Sequence, residues 1–192
     1  IEVESSFNTY NLQFTLNLDG FFISCMDGMV CANSQSDWSK DYIFEKGMEG
    51  SNIFLVGAMG SGKSSVGRAL AEILCRNFLD VDAEIELRTG ANIEWIFDMD
   101  GEQGFRDRES KTFSMLISEN TNAVIATGGG IVLREENRRL LLDHGLVIYL
   151  CASSQQLYQR TRRDRKRPLL QVADRKGCLL YTSPSPRDMW TS

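Results

Sequence analysis

Apolar residues are spaced along this chain in two rhythms. "NIFLV", residues 52–56, is a short unbroken apolar run, the pattern of a strand buried on both faces. "KSSVGRALAEILCRN" follows directly, with Val66, Leu70, Ile73 and Leu74 at helical spacing. "AEIELRTG" predicts a short helix stopped by Gly90. Residues 92–120 predict helical segments broken near Gly101, and "AVIAT", residues 123–127, predicts a second buried strand that runs into three glycines. "REENRRLLLDHG" predicts a helix with Gly145 as its stop, and "LVIYL" a third strand. Strands alternating with helices predict parallel strands joined by right-handed crossovers, an α/β fold.

The rhythm fails at both ends. "NLQFTLNLDG", residues 11–20, alternates, and Asp19-Gly20 suits a tight turn, but no longer pattern continues from it. Met48 stands a few residues before the first buried strand, where a start would fall. Residues 1–47 therefore read as upstream sequence translated in frame, with a small N-terminal extension as the competing reading. The tail from residue 175 differs again. It holds Pro184, Pro186 and Trp190, two of the three prolines and one of the three tryptophans of the chain. "CLLYTSPSPRD", residues 178–188, reads as one frame of a widely used sequencing-library adapter. The expected organisation is a segment at 1–47, a catalytic domain at 48–174, and a disordered, adapter-derived tail at 175–192.

Composition narrows the class. Apolar residues make up 42% and charged residues 24%, ordinary for a globular domain. The net charge of −5 gives no global pull toward nucleic acid or an acidic membrane, and no apolar run nears the roughly 20 residues that span a bilayer. Five cysteines without a Cys-x-x-Cys pair, and a single histidine, argue against zinc and for free thiols in a reducing cytoplasm.

The first chemistry-bearing motif is Gly57-Ala-Met-Gly-Ser-Gly-Lys63-Ser64, which fits G-x-x-x-x-G-K-[ST] between a buried strand and an amphipathic helix. Gly57, Gly60 and Gly62 let backbone N–H groups turn inward on phosphate oxygens, and the helix N-terminus adds donors for the same anion. Lys63 reaches the outer phosphates, and the Ser64 hydroxyl suits Mg²⁺. No Asn-Lys-x-Asp guanine motif is present, which favours ATP over GTP.

Four features lie behind it. Asp80 and Asp82 in "FLDVDAEIE", two apart at a strand end, are candidates for one acid toward a metal and one toward a substrate hydroxyl; they also fit a pair of solvated loop acids. In "GFRDRES", Arg106 and Glu109 are helix neighbours, so Glu109 can hold the guanidinium for a carboxylate ligand; the same spacing fits an exposed ion pair of little worth. Gly128, Gly129 and Gly130 follow a buried strand, at the sheet edge where such folds bind ligands. Residues 160–167 carry six basic side chains among eight and end at Pro168, the texture of a mobile lid over ATP or of a basic patch for RNA; no aromatic residue interleaves with the arginines.

In this order behind the phosphate loop, the D-x-D, G-F-R, T-G-G-G and R-P-L-L elements resemble the shikimate kinases, of the nucleoside-monophosphate-kinase-like group. The likeness covers residues 52 to about 174. It implies a three-layer P-loop kinase with a parallel sheet flanked by helices, here incomplete at the C-terminus, because the family's final substrate arginine, adenine loop, strand and helix have no counterpart after "RPLL". Such a chain is expected to fold poorly or to turn over slowly. The resemblance implies that Gly60, Ser61, Gly62, Lys63, Ser64 and Ser65 wrap the ATP phosphates, that Ser64 and Asp80 serve Mg²⁺, and that Arg160 lies near the adenine. It implies that Asp82 is the base facing the 3-hydroxyl of shikimate, that Arg106 grips its carboxylate, and that Gly128, Gly129 and Gly130 line the pocket. Lys63 and Arg167 would neutralise charge on the moving phosphoryl group. A cytoplasmic monomer acting on a small molecule, without nucleic acid or membrane, is the expectation. The alternatives are a related small-molecule kinase and a non-catalytic ATP- or RNA-binding fragment.

Overall fold

Strands β1 (Gln13–Phe14), β2 (Phe22–Met26), β3 (Met29–Asn33), β4 (Asn52–Val56), β5 (Asn77–Asp80), β6 (Ala123–Ala126) and β7 (Gly145–Leu150) form one sheet in the order β1-β2-β3-β7-β4-β6-β5. The helices are α1 (Lys63–Leu74), α2 (Val81–Thr89), α3 (Ile93–Glu119), α4 (Glu135–His144) and α5 (Ser154–Thr161), with a 3₁₀ turn at Ile131–Leu133. The computed structural model describes residues 50–150, 152 and 154–161, and the backbone of β1 to β3.

The central strand explains the continuous apolar run. All five residues of β4 are buried, and their side chains part by the period of two. Phe54 and Val56 join Val81, Ile85, Phe105, Phe113 and Leu141, from α2, α3 and α4. Ile53 and Leu55 join Val66, Leu70 and Ala71 of α1 on the opposite face. Helices cover both faces, which is the expected three-layer α/β arrangement. β4 runs parallel to β6 (Ile53 opposite Val124) and to β7 (Ile53 opposite Leu146), and β5 runs parallel to β6. Their carboxyl ends consequently lie along one edge of the sheet.

Two differences from the sequence reading have physical causes. Asp80 closes β5 as expected, but Asp82 lies in the first turn of α2 rather than in the strand. The Asp80 carboxylate is the N-cap, with Oδ1 accepting from the amides of Asp82 (3.1 Å) and Ala83 (3.4 Å), and so starts the helix at Val81. Second, the segment before residue 48 contributes strands. β2 and β3 pair antiparallel with Met26 opposite Met29, and β3 runs parallel to β7. The residues between Met26 and Met29 are Asp27-Gly28, a two-residue hairpin signal in the sequence that lies, like the pair at 19–20, outside the described residues. Gly145 follows α4 as its stop, as expected; its φ of 168° is extended, and it opens β7. The break at Gly101 is where the sequence places it, with φ 67° inside α3.

Gly145 is required by space. A Cβ there would overlap the carbonyl oxygen of Asn52, with the Asn52 carbonyl carbon at 2.8 Å. Backbone inside a parallel ladder has little room to yield. Gly145→Ala is therefore expected to lower stability by about 1–3 kcal/mol, read as the shift in urea midpoint at constant slope.

Candidate active site

The loop leaving β4 turns back on itself before α1. Gly60 and Gly62 have φ of 79° and 99°, a region where a Cβ is strained. Gly62 is the N-cap of α1 and supplies no side-chain acceptor, so the first amides of that helix are left to an external anion. Lys63 is buried, and its Nζ donates to the carbonyls of Gly57 (2.7 Å) and Ala58 (2.9 Å) of its own loop. The buried Ser61 hydroxyl has no hydrogen-bond partner among the described residues. Ser64 and Ser65 are exposed on the first turn of α1.

Two neighbours flank this loop. On one side the Ser64 hydroxyl donates to Asp80 Oδ2 at 2.6 Å, joining α1 to the end of β5. On the other, α5 lies against the loop: Leu157 packs with Ala58, and Arg160 Nη1 donates to the carbonyls of Gly60 (3.4 Å) and Ser61 (3.2 Å). A Cβ on Gly60 would stand 2.5 Å from the Thr161 methyl group, so this glycine also admits the helix. Arg167 and the rest of the arginine-rich segment lie outside the described residues.

The second half of the site is built on α3. Arg106 is almost fully buried and donates through Nη1 to Glu109 Oε2 at 2.8 Å, so the expected pair is an interior one rather than a solvated one. Its guanidinium also meets Glu102 Oε1 at 3.4 Å. Burial pushes the Glu109 carboxyl above its ordinary range, while the Arg106 charge opposes that rise. A carboxyl raised on folding favours the native state below its unfolded value and loses that contribution as pH climbs through the folded one. Glu109→Gln is therefore expected to gain in stability relative to the ligand-free wild type as pH rises from 4 to 8, in paired urea titrations.

The glycine triplet places these groups around one cavity wall. A side chain at Gly128 would overlap Glu109 Oε1 and crowd Asp82 Oδ1 at 3.1 Å; one at Gly130 would overlap the Arg106 guanidinium. Gly129 faces the phosphate loop, its Cβ position 3.3 Å from the Met59 amide. The three glycines are thus needed because backbone passes close to an acid, a loop and a cation, and no positive φ is involved. Bare backbone here leaves Asp82, Glu109 and Arg106 on one side and the phosphate loop on the other.

Some contributors carry no obvious mark in the sequence. The buried Thr127 donates twice to the Leu55 carbonyl, through its amide (3.1 Å) and its hydroxyl (3.0 Å), and so aims the triplet away from β4. Asn137 Nδ2 donates to Ser110 Oγ and to the Ile131 carbonyl, both at 3.0 Å, fastening the turn after the triplet to α3. Both are ordinary polar residues until the fold brings their partners near.

A phosphate loop facing a held arginine and an acid across three glycines, on a parallel three-layer sheet, is the arrangement of a P-loop kinase. The shikimate kinase family profile matches residues 59–186, a span that overlaps the tail set apart at 175. A shikimate kinase of Legionella pneumophila (strain Corby) is 56% identical over 128 residues, covering 67% of this chain and 73% of its own length. One from Burkholderia lata is 55% identical over 137 residues, covering 70% of this chain and 74% of its own. Among solved structures, shikimate kinase from Acinetobacter baumannii in complex with shikimate superimposes with a TM-score of 0.68 at 48% identity, over 73% of this chain and 76% of that one. The chain belongs to the shikimate kinase family.

Proposed function

We propose that this protein transfers the terminal phosphoryl group of ATP to the 3-hydroxyl of shikimate, giving ADP and 3-phosphoshikimate. One observation carries the reading: Gly128–Gly130 stand between the phosphate loop and the Asp82, Arg106 and Glu109 cluster, so a donor phosphate and an acidic acceptor meet across bare backbone. The relative bound to shikimate supports the choice of acid.

In this reading the amides of Gly60 to Ser65 and the N-terminus of α1 take the phosphates. Lys63 leaves the carbonyls of Gly57 and Ala58 for the transferring group. Arg106 takes the acceptor's carboxylate, steadied by Glu109. Asp82 orients the attacking hydroxyl and receives its proton. Gly57 shapes the loop, Arg160 turns from the loop carbonyls toward the adenine, and Arg167 adds a cation to the phosphoryl group. Positioning and preset charge supply most of the rate, because phosphoryl transfer asks little covalent chemistry of a protein.

Ser64 and Asp80 fit Mg²⁺: they are hard oxygen donors 2.6 Å apart beside the phosphate loop. No group of three His, Cys, Asp or Glu side chains capable of holding a metal occurs among the described residues. That suits an ion carried largely by the nucleotide and water. Bound there, it would offset charge on the phosphate oxygens.

The catalytic unit is assigned to residues 48–174, acting as a cytoplasmic monomer. Among the described residues, no helix is long and apolar enough to cross a membrane. The test is ADP release by the chain with ATP, Mg²⁺ and shikimate, with the product's phosphate located by ³¹P–¹H correlation. Release that requires shikimate and yields the 3-phosphate is expected. Release indifferent to shikimate, or faster with another hydroxylated acid, overturns the assignment.

A further inference from the structure

Arg106 has two carboxylate partners on its own helix, and they are unequal. Glu109, whose side chain is 1% exposed, takes Nη1 at 2.8 Å; Glu102, whose side chain is 58% exposed, takes Nη2 at 3.4 Å. The first is a short interior bond. The second lies beyond the usual range for such bonds and belongs to a side chain free to swing into water. The remaining donor, Nε, is buried and has no acceptor among the described residues. Nη1 gives one of its two N–H bonds to Glu109 and Nε is enclosed, so Nη2 is the least committed nitrogen, and Glu102 already sits near it.

The backbone places Glu102 for this. Gly101 breaks α3 with φ 67°, so Glu102 begins the second helical stretch and reaches Arg106 one turn on. Asp100, on the other side of the break, is held by Arg108, with Nε at 2.8 Å from Oδ2, and is directed elsewhere. Three carboxylates, from Asp82, Glu102 and Glu109, then surround the pocket that is to receive an acid. An incoming carboxylate meets less opposition if one of these acids departs as it arrives; Asp82 and Glu102 are both exposed, and Glu102 is the exposed acid seated on Arg106.

We propose that Glu102 is a displaceable placeholder for the substrate carboxylate. It caps the outward donor of Arg106 in the empty site, holds the guanidinium toward the pocket, and is expelled by an acidic acceptor. The cost of expelling it makes the empty site selective against weakly bound monoanions. This inference rests on the reading that Arg106 takes the substrate's carboxylate.

The bland alternative is a surface i,i+4 pair with an acid at a helix start, mildly stabilising and indifferent to ligand. Calorimetric titration of shikimate and of its methyl ester into wild type, Glu102→Gln and Glu102→Ala separates the two. Loss of an exposed competitor should tighten shikimate binding about two- to five-fold in both variants. The uncharged ester should bind all three proteins equally, so the acid-to-ester ratio widens. Unchanged or weaker shikimate binding in the variants, or an equal gain for acid and ester, overturns the proposal. A wild type that binds the ester as well as the acid would instead remove the underlying role of Arg106. Thermal midpoints confirm that each variant is folded.

Discussion

Replacing Lys63 with methionine is expected to lower kcat about 10³-fold while shikimate binding and the melting midpoint stay near wild type. The magnitude follows from removing one preset charge aimed at a transferring phosphoryl group, an effect of about 10² to 10⁵ in comparable sites. The structure shows why the fold should survive. Lys63 Nζ donates to the Gly57 and Ala58 carbonyls of its own loop, and Ala58 O keeps a second donor, the Ser61 amide at 3.1 Å. Methionine fills most of the buried volume left by the aliphatic stem. In the proposed site the acceptor rests on α2, α3 and the triplet, and Lys63 belongs to none of them. Steady-state rates at saturating shikimate, with calorimetric shikimate affinity and a thermal scan, test all three statements. A fall in kcat of less than tenfold would remove Lys63 from the phosphoryl-transfer step.

Much of this site was readable because its chemistry depends on local spacing. The phosphate loop announces itself through glycines, a lysine and a serine between a buried strand and a helix, and each condition is local. The break at Gly101 and the stop at Gly90 are likewise properties of single residues. What stayed hidden depends on distant partners. Whether Arg106 and Glu109 form a solvated pair or an interior one is set by Phe105 and the glycine triplet lying against them, neither of which i,i+3 spacing reveals. Asp82, two residues after Asp80, reads as a strand-end acid; the Asp80 cap, a competing use of that residue's carboxylate, places it in a helix instead. The hairpin of β2 and β3 escaped because its pattern is short and its pairing with β7 links segments more than a hundred residues apart. Thr127 and Asn137 act only through contacts with Leu55, Ser110 and Ile131, so their types alone say nothing.

Arg106→Ala is expected to do two separable kinds of damage. The first is loss of the acceptor's carboxylate partner. Removing one member of a desolvated charge pair costs about 2–5 kcal/mol, so KM for shikimate should rise at least 30-fold while KM for ATP changes little. The second falls on the fold, because Glu109 keeps its place at 1% exposure without a counter-charge. Left ionised, such a group costs about 3–5 kcal/mol, but burial already pushes its carboxyl upward, so taking up a proton caps the cost, most readily at low pH. Adding Glu109→Gln to Arg106→Ala removes the orphaned charge and should restore most of the lost stability at pH 8, though not the affinity. Urea titrations at pH 5 and 8, with KM for both substrates, distinguish the two effects. If the double variant recovered shikimate affinity with stability, Arg106 would be an internal counter-ion for Glu109 and nothing more, and the pocket would need another anchor for its acid.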